Sequence, residues 1–160
     1  TGADNVMAWR TGYPFGVNFM RGYPRFNPGE YTASDILARK EADAAMIIAA
    51  DPLANFSQPA RDHLKSIPYI AFDPKETPTT RAAEVAFTVA TYGINVPGTV
   101  YRMDDVPISL RPALECHHPS DLEILKGIEK HVKKLNMENA MAQSVDTSLR
   151  PTRDKFASNE

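Results

Sequence analysis

Two short apolar segments of this sequence each run into an Asp-Pro pair. Residues 44–50 lead into the pair that begins at Asp51, and residues 69–72 lead into the pair that begins at Asp73. If both segments are parallel strands, the two carboxylates lie at strand carboxyl ends, where open α/β sheets bind ligands. A carboxylate there can accept two N–H bonds from a guanine edge or bond the hydroxyls of a ribose. The alternative is that each pair only starts a loop, and spacing alone favours that alternative.

Hydroxyls and a guanidinium follow the second Asp-Pro pair, at Thr77, Thr79, Thr80 and Arg81. Near the start of a helix, such groups can hold a phosphate. Capping of the same helix explains the threonines equally well. The GxGxxG and GxxxxGK[ST] patterns are both absent from the sequence, so the common phosphate-binding fingerprints give no support.

A cysteine and two histidines lie side by side at Cys116, His117 and His118. Adjacent histidines point apart in most backbones, and a zinc site needs four protein ligands, or three and a water. We therefore expect no metal site here, and we expect the thiol to be inert. No GxSxG or HExxH pattern is present, and no residue is assigned a catalytic role.

Helices and strands are expected to alternate around the two Asp-Pro pairs. Short connections between them favour right-handed crossovers and a parallel sheet, and the continuous apolar run at 44–49 is typical of a strand buried on both faces. The expected elements are a helix from Thr32 to about Lys40, a strand at 44–49, a helix from Ser57 to about Ser66, a strand at 69–72, a helix from Thr79 or Thr80 to about Glu84, and a strand at 85–91.

The segments on either side of this unit have different patterns. Residues 1–31 are rich in Gly, Pro and aromatic residues, which predicts an ordered loop with one short strand at Asn5–Trp9. Residues 98–111 predict two strands around a turn at Asp104 and Asp105. An amphipathic helix then runs from about residue 120 to Leu135, followed by a polar tail.

The predicted fold class is therefore α/β, with a partial doubly wound, Rossmann-like parallel sheet followed by a hairpin and a C-terminal amphipathic helix. The expected domains are an ordered loop at 1–31, an α/β domain at 32–115, and a helix with a polar tail at 116–160.

Composition excludes several classes of protein. The 160 residues are 42% hydrophobic and 24% charged, which is globular rather than disordered composition. A net charge of −2 argues against a nucleic-acid binder, and one cysteine excludes an internal disulfide framework. The longest uncharged apolar run, residues 44–50, is far shorter than the ~20 residues of a membrane helix. No signal peptide opens the sequence, so we expect a cytoplasmic setting.

Four segments in order resemble the C-terminal part of the catalytic B subunit of formylmethanofuran dehydrogenase, in the molybdopterin-dependent formate dehydrogenase family. They read NFMRGYPRFNPGE, AAMIIAADPLANF, IPYIAFDPKETPTTRAAEVAF and GTVYRMDDVPISLR. The two central segments follow the general family pattern, and the other two are closer to the formylmethanofuran branch. The resemblance covers roughly residues 5–115.

This resemblance implies a role in holding one of two molybdopterin guanine dinucleotides around a tungsten or molybdenum ion. Matched by motif, the cofactor-binding positions at the first strand end are Ala50, Asp51 and Pro52. At the second strand end, Asp73 would contact the guanosine, and Thr77 and Thr80 would lie nearby. The remaining matched positions are Asn18, Arg21 and Gly22 in a glycine-containing loop, and Gly98 and Thr99 before the return strand.

The resemblance also implies what lies elsewhere in the same polypeptide. The metal-ligating cysteine or selenocysteine and the iron–sulfur cysteines lie upstream of the matched motifs, whereas Cys116 follows them all. We therefore expect this chain to be the C-terminal portion of a longer subunit. Its partners would be the upstream half of that subunit, which supplies further strands, and other subunits of the complex, with no nucleic acid or membrane. Alone, the chain is expected to associate or to be poorly soluble.

The implied function is a share in reducing CO2 to formate in methanogenesis, after which a separate hydrolase-like subunit joins formate to methanofuran. The isolated chain is not expected to be active. Two alternatives stay open. One is a non-redox structural subunit of a formyltransferase/hydrolase complex, as in methylotrophic bacteria. The other is a nucleotide-binding α/β module with an unrelated ligand.

Overall fold

The structure, a computed structural model, describes residues 2–149. It divides into two compact units between Ser120 and Asp121, and each is described separately. The elements of the first unit are α1 (Gly2–Thr11), β1 (Val17–Asn18), β2 (Arg25–Phe26), α2 (Ala33–Ala38), β3 (Ala45–Ile48), α3 (Pro52–Asn55), α4 (Gln58–Leu64), β4 (Tyr69–Asp73), α5 (Pro78–Ala82), β5 (Val85–Thr88), β6 (Gly98–Tyr101) and β7 (Pro107–Leu110). The second unit contains α6 (Asp121–Leu149).

The centre of the first unit is a parallel sheet in the order β3-β4-β5. Ala45 is paired with Tyr69, and Ile70 is paired with Val85. Helices connect the consecutive strands, as the short predicted crossovers require. The predicted α/β class is confirmed, with a parallel sheet, small antiparallel hairpins and a C-terminal helix.

The hydrophobic core lies on one face of this sheet. It is a cluster of Leu37, Leu53, Ala60, Leu64, Tyr69 and Ala71. Side chains alternate between the faces of a strand, so Tyr69 and Ala71 of β4 share the face that carries α2 and α4. Ala60 and Leu64 are the buried residues that hold α4 on this face. The helix begins after Ser57, whose side chain makes no capping bond, and it has a proline in its first turn, where a missing N–H costs little.

The opposite face of the sheet buries Phe72 of the central strand, which is 1% exposed, but carries exposed apolar side chains on the outer strands. Met46 and Ile48 of β3 are 47% and 40% exposed, and Val85 of β5 is 43% exposed. The expectation that the first strand is buried on both faces is therefore wrong for the described residues. The reason is that α2 and α4 pack on the same face, which leaves the even-numbered residues of β3 without cover from these helices.

The predicted strand at Asn5–Trp9 is also wrong, because those residues lie in α1. No glycine or proline interrupts residues 3–11, so the helix can continue until Gly12. Gly12 has a φ of 84°, and its N–H donates to the Ala8 carbonyl at 2.8 Å, which is a left-handed helix stop. Residues 17–26, expected as loop, contain the β1–β2 hairpin.

The structure adds one short helix, α3, which follows Asp51 directly. Two predicted boundaries also shift. Helix α5 begins after Thr77 rather than at Thr79 or Thr80, and β5 ends at Thr88 rather than at residue 91. The hairpin formed by β6 and β7 is confirmed.

The C-terminal helix is longer than expected. It continues past Leu135 to Leu149, because no helix-breaking residue follows Gly127 in it. The rest of the predicted tail, residues 150–160, lies outside the described residues. Among the helices of residues 2–149, none combines the length and apolar character of a membrane-spanning segment.

Candidate ligand-binding site at the strand ends

Asp51 follows β3 and ties the first strand end to the start of α5. Its Oδ1 accepts hydrogen bonds from the Thr79 hydroxyl at 2.5 Å and from the Thr79 N–H at 3.3 Å. The Thr79 hydroxyl in turn accepts from the Leu53 N–H at 3.1 Å. The bonds found for Asp51 within the described residues thus hold two loops together, so this carboxylate has a positioning role whatever ligand lies nearby.

The backbone between β3 and Asp51 is sharply bent. Ala49 has a φ of 50°, in the left-handed region that non-glycine residues rarely adopt, and its N–H donates to the Phe72 carbonyl at 2.8 Å. Such strained residues cluster at functional sites, where the surrounding structure holds them. Ala50 and Pro52, which follow, line an apolar groove beside β3.

Asp73 lies at the end of β4, beside a cavity of about 260 Å³. Its side chain is largely buried, with the residue 8% exposed, and its Oδ1 accepts from the Lys75 N–H at 3.0 Å. The cavity is lined by charged and hydroxyl-bearing residues together with the end of β5, namely Asp73, Lys75, Glu76, Thr80, Arg81, Ala86, Phe87 and Thr88. The structure thus places two carboxylates, Asp73 and Glu76, and two cations, Lys75 and Arg81, in one cavity.

Thr77 and Thr80 form a reciprocal capping box at the start of α5. The Thr80 N–H donates to the Thr77 hydroxyl at 3.1 Å, and the Thr77 N–H donates to the Thr80 hydroxyl at 2.8 Å. The capping interpretation of these threonines is therefore correct, and it coexists with the position of Thr80 on the cavity wall.

Arg81 bonds Glu76 through an ion pair of 2.5 Å, and both side chains are well exposed. An exposed pair of this kind contributes little to stability. The guanidinium can therefore exchange its partner for an anionic ligand at small cost.

Tyr69 connects the hydrophobic core to the same helix. Its hydroxyl donates to the Thr79 carbonyl at 2.8 Å in a buried setting. Burial raises the pKa of Tyr69, and the nearby negative charge of Asp51 raises this pKa further. The phenol therefore stays neutral and remains a hydrogen-bond donor at physiological pH.

Three predicted positions lie in the β1–β2 hairpin rather than at the strand ends. The Asn18 side chain accepts from the Met20 N–H at 2.8 Å, and Arg21 is exposed in the turn. Gly22 has a φ of 79°, and its N–H donates to the Phe19 carbonyl at 2.9 Å. A glycine is needed there by the turn itself.

Two further predicted positions, Gly98 and Thr99, begin β6. A Cβ atom at Gly98 would lie 3.0 Å from Cδ1 of Tyr92, so the ring and the strand backbone approach closely. The predicted positions therefore fall into three groups, at the strand ends, in the β1–β2 hairpin and at the start of β6. Of the strand-end group, Asp73 and Thr80 line one cavity.

Sequence reasoning missed Lys75, Glu76 and Thr88 as cavity residues. Thr88 could have been found by applying the strand-end rule to the third strand, because it is paired with Asp73. Lys75 lies two residues after Asp73 in the same loop, which also places it near the strand end.

Metal-binding side chains do not converge in the part of the chain that the structure describes. No group of three or more His, Cys, Asp and Glu residues there is placed to hold a metal ion. The Cys116 sulfur, partly exposed, accepts from the His118 N–H at 3.3 Å.

The fold and the site together define the class of this protein. It is an α/β protein with a parallel sheet, and carboxylates at the strand ends can hold a ligand there. No protein-family model matches the chain. It is 50% identical, over 136 residues and 84% of its length, to the B subunit of tungsten-containing formylmethanofuran dehydrogenase 2 from Methanocaldococcus jannaschii. The corresponding protein of Methanococcus maripaludis is 43% identical over 136 residues. These matches confirm the predicted resemblance to the B subunit of formylmethanofuran dehydrogenase.

The chain spans 31% of the length of these two curated relatives. A solved structure is also similar, the formyltransferase/hydrolase complex from Methylorubrum extorquens in complex with methylofuran. The matched chain is 25% identical, with a TM-score of 0.67, and the match covers 85% of this chain and 38% of that one.

Proposed function

We propose that this chain is the part of a formylmethanofuran dehydrogenase B subunit that holds a molybdopterin guanine dinucleotide. The observation that carries the proposal is the cavity at the end of β4, where the carboxylate of Asp73 lies beside Lys75 and Arg81. The 50% identity to a tungsten-containing relative supports the identity of the ligand.

The residues of the cavity fit this ligand. A guanine edge presents two adjacent N–H donors, and a carboxylate can accept both. The bond from the Lys75 N–H to Asp73 Oδ1 restricts rotation of the carboxylate, so its orientation is set before the ligand binds. Lys75 and Arg81 can bond a neighbouring phosphate, provided that Arg81 gives up its ion pair with Glu76.

The other predicted positions have supporting roles in this proposal. Asp51 orients the first strand end through Thr79, and Ala50 and Pro52 shape the loop beside it. Thr77 and Thr80 fix the start of α5 at the cavity. The hairpin group of Asn18, Arg21 and Gly22, and the β6 group of Gly98 and Thr99, would contact further parts of the cofactor.

The proposed enzyme reduces CO2 to formate in methanogenesis, and the bound tungsten or molybdenum cofactor supplies the redox chemistry. This chain contributes binding and orientation of the cofactor rather than a catalytic side chain. The metal-ligating residue and the iron–sulfur cysteines belong to the rest of the subunit in this proposal. Its partners are that remaining portion and the other subunits of the complex.

A structural role in a formyltransferase/hydrolase complex is the second candidate function. The fold likeness to the Methylorubrum extorquens complex supports it. This chain is 25% identical to the matched chain of that complex but 50% identical to the tungsten-containing dehydrogenase relative. The higher identity favours the redox enzyme as the function. Cysteines that bind a metal and an iron–sulfur cluster in the rest of the subunit would distinguish the two.

The Asp73→Asn variant of the intact enzyme tests the proposal. The amide replaces one acceptor oxygen with a donor, which then faces a guanine N–H. We expect guanine dinucleotide retention to fall at least about tenfold, which corresponds to ~1.4 kcal/mol. Cofactor content is measured by chromatography of released pterin and guanine nucleotide, and metal content by mass spectrometry.

Asp62→Asn is the matched control, because Asp62 lies on α4 outside this cavity and bonds the Gln58 amide at 2.6 Å. It should retain full cofactor. Wild-type cofactor content in the Asp73→Asn enzyme would overturn the assignment of Asp73.

A further inference from the structure

The ion pair between Glu76 and Arg81 spans the capping box at the start of α5. Glu76 directly precedes the N-cap Thr77, and Arg81 lies four residues after that N-cap. Side chains at these two positions meet across the start of a helix, as they do in the hydrophobic staple. Because Thr77 and Thr80 fix the backbone by reciprocal bonds, the local fold itself brings the two opposite charges together.

Both members of this ion pair line the cavity at the end of β4, together with Asp73 and Lys75. The described lining therefore has two charges of each sign and no formal net charge. A free anion gains little from long-range attraction to such a surface. To be bound by Arg81, an anion must displace Glu76.

The two carboxylates of the cavity differ in how firmly they are held. Asp73 is 8% exposed, and its Oδ1 accepts from the Lys75 N–H at 3.0 Å. The Glu76 side chain is 70% exposed, and an ion pair in that setting contributes little to stability. Glu76 can therefore rotate into solvent, whereas Asp73 keeps its orientation.

We infer that Glu76 is a built-in competitor for Arg81, which a ligand phosphate displaces only when the rest of the ligand is anchored at Asp73. This inference rests on the proposed function, which assigns the guanine base to Asp73. An anchored phosphate and the tethered Glu76 compete for Arg81 at comparable effective concentrations. A free anion in solution is far more dilute, so Glu76 keeps it away from Arg81. Specificity often depends on such an unfavourable element in a binding site.

Other roles of Glu76 predict a change of the opposite sign when this residue is replaced. If the ion pair served only to close the start of α5, its loss would loosen the cavity and speed the loss of cofactor. If Glu76 bonded the ribose hydroxyls of the ligand, its loss would also speed the loss of cofactor. Replacement of a competitor slows it instead.

The Glu76→Gln variant of the intact enzyme tests the inference. Loss of guanine dinucleotide during dialysis is followed by chromatography of the nucleotide that remains bound. We expect this loss to be about three- to fivefold slower than in the wild type, because a neutral amide competes weakly for Arg81. Arg81→Gln should lose the cofactor faster than the wild type, since the phosphate then lacks its partner. Equal or faster loss from the Glu76→Gln enzyme would overturn the inference.

Inorganic phosphate provides a chemical complementation of the same variant. In excess, it should speed cofactor loss from the Glu76→Gln enzyme towards the wild-type rate, because a free anion then replaces the missing competitor. It should change the wild-type rate little, since the tethered Glu76 is already the stronger competitor. Potassium chloride at equal ionic strength corrects for screening of charges. The same response to phosphate in both enzymes would contradict the inference.

Glu41→Gln is the matched control. Glu41 pairs with Arg39 at 2.8 Å, is also exposed and lies outside the cavity. Its substitution changes the net charge of the chain by the same amount and should leave cofactor loss at the wild-type rate.

Asp73→Asn, measured alongside, separates this inference from the proposed function. Faster loss from Asp73→Asn together with unchanged loss from Glu76→Gln contradicts the inference alone. Wild-type loss from Asp73→Asn together with slower loss from Glu76→Gln contradicts the guanine assignment of Asp73 and leaves Glu76 as the competitor for Arg81.

Discussion

Thr79 joins three segments of the α/β unit. The residue is fully buried, its hydroxyl donates to Asp51 and accepts from the Leu53 N–H, and its backbone carbonyl accepts from the Tyr69 hydroxyl. The two strand ends are therefore held at a fixed spacing by one buried polar network. Such a network stabilises a structure only while every member keeps its partner.

Replacing Thr79 with valine should show this dependence. Valine has nearly the same shape but leaves Asp51 Oδ1 and the Leu53 N–H without their hydroxyl partner. We expect the free energy of unfolding to fall by about 1–3 kcal/mol in urea titrations. Thr88→Val, at an exposed position in β5, is the control and should change stability by less than about 0.5 kcal/mol. Equal stabilities of the two variants would contradict the proposed network.

Tyr69 should give the chain a specific loss of stability in alkali. Its pKa is raised in the folded state by burial and by Asp51, above the unfolded value near 10. Its contribution is therefore complete below about pH 10 and declines as pH rises through the folded-state pKa. Tyr69→Phe should lack this decline, and the exposed Tyr23→Phe control should retain it. Unfolding free energies between about pH 8 and 11 measure the difference.

Which single residues matter was only partly predictable from the sequence. Asp51 and Asp73 could be placed at strand ends because apolar runs precede them. The partner of Asp51 could not be predicted, because Thr79 is 28 residues away and reaches it only after the sheet has formed. Lys75 and Arg81 join one cavity for the same reason, since α5 folds back over the end of β4.

Among the elements, the central strands and α4 were predictable and the ends of the chain were not. Apolar runs and capping residues mark β3, β4 and α4 clearly. Residues 2–11 have no amphipathic period, and α1 has no buried residue, so hydrophobic patterning gave no signal for that helix. The extension of α6 past Leu135 is consistent with the sequence of the helix, in which no glycine or proline follows Gly127.

Two glycine substitutions should have opposite effects because they lie in different elements. Gly127 is inside α6, and a Cβ atom there meets no atom within 4 Å, so Gly127→Ala should stabilise the helix by about 0.5–1 kcal/mol. Gly22 also has space for a Cβ, but its φ of 79° is unfavourable for alanine, so Gly22→Ala should destabilise the hairpin by roughly 1–2 kcal/mol. Thermal unfolding followed by circular dichroism checks both signs, and a shared sign would contradict this explanation.

At the scale of the molecule, the α/β unit has its apolar core on one sheet face, while the other face buries Phe72 at its centre and exposes apolar residues on its outer strands. Met46, Ile48 and Val85 contribute to the exposed face, and the net charge of −2 provides little mutual repulsion. Exposed apolar side chains grouped on one sheet face are a site for association between copies. The sequence predicted association from strand apolarity, but it could not show which face would be open, since that depends on where α2 and α4 pack.

The chain on its own should therefore self-associate as its concentration rises. A double substitution, Met46→Lys with Ile48→Lys, places two charges on the open face and should keep the chain monomeric in sedimentation velocity experiments. Met103→Lys, at a fully exposed position in the β6–β7 turn, is the control and should associate like the wild type. Equal association of the double variant and the control would show that another surface is responsible.

The buried cluster has a consequence for the rate of folding. Its first and last members, Leu37 and Ala71, lie 34 residues apart, and pairing of β3 with β4 joins Ala45 to Tyr69, 24 residues further along the chain. Such pairing is slow, because the entropy of loop closure is lost before the distant contacts form. We therefore expect the sheet to form late in refolding, and its apolar strand segments to be open to wrong partners until then.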